Sequence, residues 1–240
     1  MNALTLAEAE DIVEQYAAEV EALDGQSAEE RGVYFAQTYR AGQQHYLPAV
    51  CEFTAKLPSG RALDCGPGWG TMSLWLASHG WQVTAMDCMP IGTFMTERFV
   101  REIPCRYVEM QIERERLHEQ FDLILMTQVV GHLKYRPDGA LQHIADMLAP
   151  AGCAIISALN DEHTGRSAAF AFGRDGTTWR DIPRVEDGGP PEQMMNVCAY
   201  SEETFAELLQ TVFGAVQYIQ TEPVIIAVCG ESSWLNRTIN

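Results

Sequence analysis

Between residues 4 and 24, Ile12, Val13, Tyr16, Val20 and Leu23 recur at three- and four-residue intervals with acids between them. That period predicts an amphipathic helix. A second helical stretch from about Ala28 to Phe53 carries Tyr34, Phe35, Tyr39, Tyr46 and Leu47. Residues 1–56 therefore read as a helical cap, ahead of a second unit spanning 57–240.

From residue 61 the pattern changes to short apolar runs, Arg61 to Cys65, Trp81 to Met86, Arg106 to Met110, Phe121 to Met126 and Cys153 to Ser157, with helical segments between them. Strands alternating with helices predict βαβ units, whose right-handed crossovers build a parallel sheet covered on both faces. The segment Ala140 to Leu148 puts Leu141, Ile144 and Leu148 on one helix face, with Asp138 as the expected N-cap. About 160–198 is rich in Gly, Pro and charge, including Gly188-Gly189-Pro190-Pro191. It is too long for an ordinary connection and reads as a lid-like insertion. Ser201 then caps a helix with Glu202 and Glu203 in its first turn. The runs Ala215 to Gln220 and Pro223 to Cys229, two residues apart, predict an antiparallel hairpin that ends the sheet.

The chain has 240 residues, 16 Lys and Arg against 33 Asp and Glu, and a formal charge of −17. Such a balance repels phosphate backbones, and no basic cluster offsets it, so a nucleic-acid partner is not expected. Arg98 and Arg101, at helical spacing, read as a solvated face. No apolar run is long enough to span a bilayer, and the start Met1-Asn2-Ala3-Leu4-Thr5 lacks the features of a secretory signal. The expected setting is therefore the cytoplasm, without a membrane partner. Seven cysteines, at 51, 65, 88, 105, 153, 198 and 229, form no C-x-x-C pair and read as reduced thiols. Six histidines, at 45, 79, 118, 132, 143 and 163, make no ligand pair at short helical spacing, so no metal is expected.

The chemistry concentrates where the first predicted strand ends, in Leu63-Asp64-Cys65-Gly66-Pro67-Gly68-Trp69-Gly70, followed by a helical run from Thr71 to Ser78. Glycines between a strand and a helix allow a sharp turn and close approach of a ligand to the exposed N–H groups of the helix start. One βαβ unit further on, the second strand ends at Asp87, where a carboxylate can accept both hydroxyls of a ribose. A nicotinamide site typically reads G-x-G-x-x-G. Here the spacing is G-x-G-x-G with Thr71 next, which weakens the dehydrogenase reading. Asp64 would repel a pyrophosphate, yet could hold the ammonium end of an amino-acid-like ligand.

These features resemble the class I methyltransferase family, whose first motif is an acid followed by Gly-x-Gly-x-Gly and whose second strand ends in an acid. The resemblance extends through Phe121-Asp122-Leu123-Ile124-Leu125-Met126, Gln128-Val129-Val130-Gly131-His132-Leu133 and Leu148-Ala149-Pro150-Ala151-Gly152, covering about residues 60–160. It implies an α/β, Rossmann-like doubly wound sheet of seven strands, mostly parallel with an antiparallel last strand, plus the N-terminal helical cap. It also implies S-adenosyl-L-methionine as cofactor. Asp64, Gly66, Pro67 and Gly68 would lie at its methionine part, Asp87 at the ribose, and Cys88 beside the adenine. Gln111 and Ile112 would form the adenine edge. Many family members carry Asp where Gln111 stands, so here the amide oxygen would have to accept from the adenine amino group. Gln128 would lie near the methionine moiety, and Tyr39 or Tyr46 from the cap could close over its carboxylate.

The implied reaction is methyl transfer to a small-molecule acceptor, with His132 best placed as a base for a hydroxyl or ammonium acceptor. Tyr135, His163, Trp179 and Tyr200 are the expected acceptor-pocket residues, with Arg136 on the same loop as Tyr135. Two alternatives stay open on this fold: displacement at another sulfonium carbon, as in cyclisation or aminopropyl transfer, and cofactor binding without catalysis.

Overall fold

The computed structural model of the protein describes residues 2–17, 40–91, 95–133, 137–160 and 199–231. The strands are β1 (Arg61–Cys65), β2 (Gln82–Asp87), β3 (Cys105–Glu109), β4 (Phe121–Met126), β5 (Leu148–Asn160), β6 (Ala199–Tyr200), β7 (Ala215–Gln220) and β8 (Val224–Gly230). The sheet runs β3-β2-β1-β4-β5-β8-β7, with β6 paired to β5 off this path. β1 to β5 are mutually parallel, and β8 is antiparallel to both β5 and β7. The expected seven-stranded, mostly parallel sheet with an antiparallel last strand is present, and the two-residue β6 is added to it. Strand order reverses at β1, whose neighbours are β2 and β4. In an open parallel sheet that reversal opens a crevice at the carboxyl ends of the strands.

Successive strand residues point to opposite faces, and the two cores follow that parity. Ala62, Val83, Ala85, Leu123, Leu125, Cys153 and Ile155 belong to one cluster, whereas Leu63, Cys65, Met86, Ile124, Met126, Ala154 and Ile156 belong to the other. The first face is covered by α1 (Leu6–Ala17), α2 (Leu47–Thr54), α3 (Thr71–Ser78) and α4 (Glu97–Glu102). The second is covered by α5 (Pro137–Met147) and α6 (Glu202–Gln210). Every residue of α3 is buried. A helix buried all round needs cover on both sides, and α1 supplies the outer one through Ala9 and Val13, with the Leu4 N–H donating to Ser78 Oγ at 3.1 Å.

Two expectations are corrected by the structure. Asp138 is not an N-cap: α5 opens at Pro137, leaving Asp138 in the first turn, because proline's fixed φ and missing N–H suit the first helical position. The fifth strand runs 13 residues, from Leu148 to Asn160, not five. Its early part pairs Phe121 with Leu148 and then shifts register before Leu123 meets Cys153, so Leu148, expected on the face of the preceding helix, instead opens the strand. The capping expectation for Ser201 holds: its Oγ accepts from the Thr204 N–H at 3.1 Å.

The ends of the insertion meet in the sheet, where Leu159 and Asn160 pair with Ala199 and Tyr200. The insertion itself, apart from Asn160, lies outside the described residues.

Candidate active site

Three chain segments converge at the carboxyl ends of β1, β2 and β4. The first is the turn after β1. Gly66, Gly68 and Gly70 have φ of 71°, 53° and 87°, left-handed values that L side chains seldom adopt. The Gly66 N–H donates to the Met86 carbonyl at 2.8 Å, and the Gly70 N–H to the Pro67 carbonyl at 2.9 Å. A Cβ on Gly66 would fall 2.3 Å from Val129 Cγ2, and one on Gly70 would fall 2.5 Å from Phe99 Cε1. The turn is thus gripped between the segment after β4 and α4, and Phe99 is in turn met edge-on by Tyr16 of α1 at 4.9 Å.

Asp64, 1% exposed, accepts a hydrogen bond from Ser73 Oγ of α3 at 2.7 Å. Burial pushes its carboxyl up to about 6, with the charge of Asp87 adding to the rise and Ser73 opposing it. Asp87, at the end of β2, is also raised, first by burial, against hydrogen bonds from Met89 and Cys88. Its Oδ1 accepts from the Met89 N–H at 3.0 Å. Neither carboxylate has a cationic partner among the described residues. This pair of acceptors fits a ligand bearing hydroxyls and a positive charge, and does not fit a pyrophosphate.

The third segment follows β4. Gln128 has φ 58°, left-handed without being glycine, a strain that persists only where surroundings enforce it. Here Ser157 of β5, fully buried, enforces it: its Oγ accepts both the Gln128 N–H at 2.9 Å and Gln128 Nε2 at 3.0 Å. His132 lies on the short turn Val130–His132 and is half-buried. Beyond β3, the Met110 N–H donates to the Asp87 carbonyl at 2.8 Å. That bond brings Gln111 and Ile112 alongside Asp87 and Cys88, with Gln111 half-buried and Ile112 6% exposed.

From the cap, the structure brings Tyr46 to this edge. Burial raises its hydroxyl, the side chain of Gln43 bonds it, and Asp64 is near enough to contribute. Gln43, 4% exposed, also accepts from Thr71 Oγ1 at 3.3 Å. Tyr200 is 1% exposed in the second core, with its ring 5.5 Å from Phe205. Tyr39, Tyr135, Arg136, His163 and Trp179 lie outside the described residues. Sequence reading missed Gln43, Ser73 and Ser157, small polar groups distant in the chain from the acids and amides they hold. The one signal for Ser73 is a hydroxyl in the middle of a helix that is buried along its whole length. A groove of about 580 Å³ at the amino ends of β1 to β3 is at the far end of the sheet, where Arg61 and Arg106 are both held by Glu119.

The strand order, the left-handed glycine turn and the two acids at its flanks define a class I S-adenosylmethionine-dependent methyltransferase. The chain belongs to the methyltransferase domain family, whose model matches residues 39–212. Among curated proteins it is similar to a ubiquinone biosynthesis O-methyltransferase of Rickettsia canadensis, 27% identical over 100 residues, 41% of this chain and 42% of that protein. The aligned stretch spans about two fifths of the length of the curated relatives. Among solved structures, one similar fold is a Burkholderia thailandensis 1,6-didemethyltoxoflavin-N1-methyltransferase with bound S-adenosylhomocysteine. It has 19% identity, TM-score 0.54, and 88% and 94% of the two chains covered. An S-adenosylmethionine-dependent methyltransferase of Clostridium acetobutylicum has TM-score 0.61 at 14% identity, with 85% and 98% covered.

Proposed function

We propose that this protein transfers the methyl group of S-adenosyl-L-methionine to a small-molecule acceptor. The observation that carries the reading is the pair of carboxylates without cationic partners, Asp64 and Asp87, flanking a left-handed glycine turn at the point where strand order reverses. Asp87 would accept the ribose hydroxyls. Cys88, Gln111 and Ile112 would border the adenine. The turn Gly66-Pro67-Gly68, Asp64, Gln128 and the cap residues Gln43 and Tyr46 would surround the amino-acid end.

The cofactor supplies an electrophilic methyl carbon on a sulfonium. The chain's own part is to align the acceptor atom with that carbon in a water-poor crevice, since positioning supplies much of the acceleration of an in-line displacement. His132 would take the proton of a hydroxyl or ammonium acceptor. In this reading residues 1–56 cap the crevice. The insertion at about 160–198, with His163 and Trp179, joins Tyr135 and Tyr200 around the acceptor, and Tyr39 approaches from the cap.

The surplus of acids favours a neutral or cationic small molecule over nucleic acid. Four buried free thiols, Cys51, Cys65, Cys153 and Cys229, suit a reducing compartment such as the cytoplasm. No helix among the described residues is long and apolar enough to cross a membrane.

Calorimetric titration with S-adenosylmethionine, S-adenosylhomocysteine and NADH tests the cofactor assignment. Binding of the first two without the third is expected. Binding of NADH alone would replace this reading with a dehydrogenase.

A further inference from the structure

Gln111 stands where a carboxylate would accept from the adenine amino group without ambiguity, whereas an amide can present either an acceptor or a donor. In this chain that choice is made two residues away. Gln111 Nε2 donates to Glu113 Oε2 at 3.1 Å, and a carboxylate only accepts, so the NH₂ end of the amide is the end turned toward Glu113. The backbone that carries the side chain is fixed on both sides. The Gln111 carbonyl accepts from the N–H groups of Arg114 and Glu115 at 2.9 and 3.1 Å, and the Met110 N–H is tied to Asp87. On the other side, His143 Nδ1 of α5 meets the Ile112 carbonyl at 2.6 Å. With its NH₂ end engaged by Glu113, the amide keeps Oε1 as its open acceptor, the group that the proposal below turns toward the base.

We propose that Glu113 is a positioning residue that fixes the polarity of the Gln111 amide, making the base subsite selective for a purine with a 6-amino group over one with a 6-oxo group. The inference rests on the cofactor assignment above and goes beyond it by naming what sets base specificity. A 6-amino group donates to Oε1. A 6-oxo group would set two acceptors against each other and leave both unpaired, and discrimination of this kind is large where a polar group is left without a partner.

The test titrates S-adenosylhomocysteine and S-inosylhomocysteine, its 6-oxo counterpart, into the wild type and into Glu113→Gln and Glu113→Ala. The wild type is expected to prefer the adenosyl ligand by about ten-fold or more, the scale of one hydrogen bond gained against one opposed. In both variants the preference narrows to about three-fold or less, because the amide is free to turn. Both ligands meet the same preparation, so any loss of folded protein cancels in the ratio, and a purely structural role for Glu113 leaves the ratio unmoved. An unchanged preference in both variants, or a wild type that binds the two ligands equally, overturns the proposal. A wild type that binds neither ligand overturns the cofactor assignment instead.

Discussion

A carboxylate buried beside a glycine turn, held by the hydroxyl and backbone of one serine, is an unusual thing for a fold to keep, and Asp64 shows what such a group can do. Its ordinary value of 3.8 is pushed up to about 6, chiefly by burial. The fold therefore holds the proton to a higher pH than the unfolded chain does. Below pH 4 the group is protonated folded or unfolded and costs nothing. From about pH 4, where the unfolded chain ionises, to about 6, where the folded group does, the fold alone keeps the proton, and stability is lost across that window as pH rises. A cationic ligand reverses the preference, because an ammonium group needs the carboxylate charged. Affinity for S-adenosylmethionine should therefore rise about ten-fold from pH 5 to pH 7, with proton release on binding near pH 6. Calorimetry in buffers of different ionisation heat measures both. Asp64→Asn should flatten the profile, and a wild-type profile already flat would put Asp64 beyond the ligand's electrostatic reach.

At the scale of elements, the glycine turn is held by two neighbours at once, with Val129 against Gly66 and Phe99 against Gly70. Gly66→Ala adds a methyl group that would fall 2.3 Å from Val129 Cγ2 at a residue with φ 71°. Strain and overlap together should cost on the order of 2–4 kcal/mol of stability and lower cofactor affinity by at least about ten-fold. Gly42→Ala is the control, since a Cβ there meets nothing within 4 Å. Denaturant unfolding and calorimetry on both variants check this, and equal behaviour of the two would mean that the turn does not need its left-handed geometry. The turn itself was legible in sequence, because glycine spacing and the strand and helix around it are local signals. So were Asp87 and the parallel core, from short apolar runs such as Val83 to Met86 alternating with helical segments. What holds the site was not legible. Ser73 reaches Asp64 across nine residues, Gln43 reaches Thr71 across 28 and Ser157 reaches Gln128 across 29. No local period encodes contacts made by a crossover helix, a cap and a neighbouring strand. The early start of β5 escaped for a related reason: Leu148 pairs with Phe121 of β4 across a register shift, a contact between strands that no local period encodes.

For the molecule as a whole, the described basic residues are largely consumed locally. Arg40 is held by Glu10, Asp11 and Glu14, Arg61 and Arg106 share Glu119, and Arg98, Arg116 and Lys56 each face one acid. The formal charge of −17 is thus a surplus spread over the surface and the crevice, and its self-repulsion opposes the compact state. Salt screens that repulsion, the Debye length falling from about 30 Å at 0.01 M to about 3 Å at 1 M. The Tm of the ligand-free protein should therefore rise with salt, since exposed ion pairs weakened by the same screening contribute little. The same field distinguishes two ligands of nearly equal shape. S-adenosylmethionine carries a net positive charge, whereas S-adenosylhomocysteine, having lost the sulfonium, is neutral overall. Salt should weaken binding of the first and leave that of the second nearly unchanged, so that the affinity ratio shifts toward the product over this range. Parallel titrations at low and high salt measure the ratio. If both affinities fall together, the surface field has no part in selecting the sulfonium, and the selection lies wholly in the short-range contacts of Asp64 and Asp87.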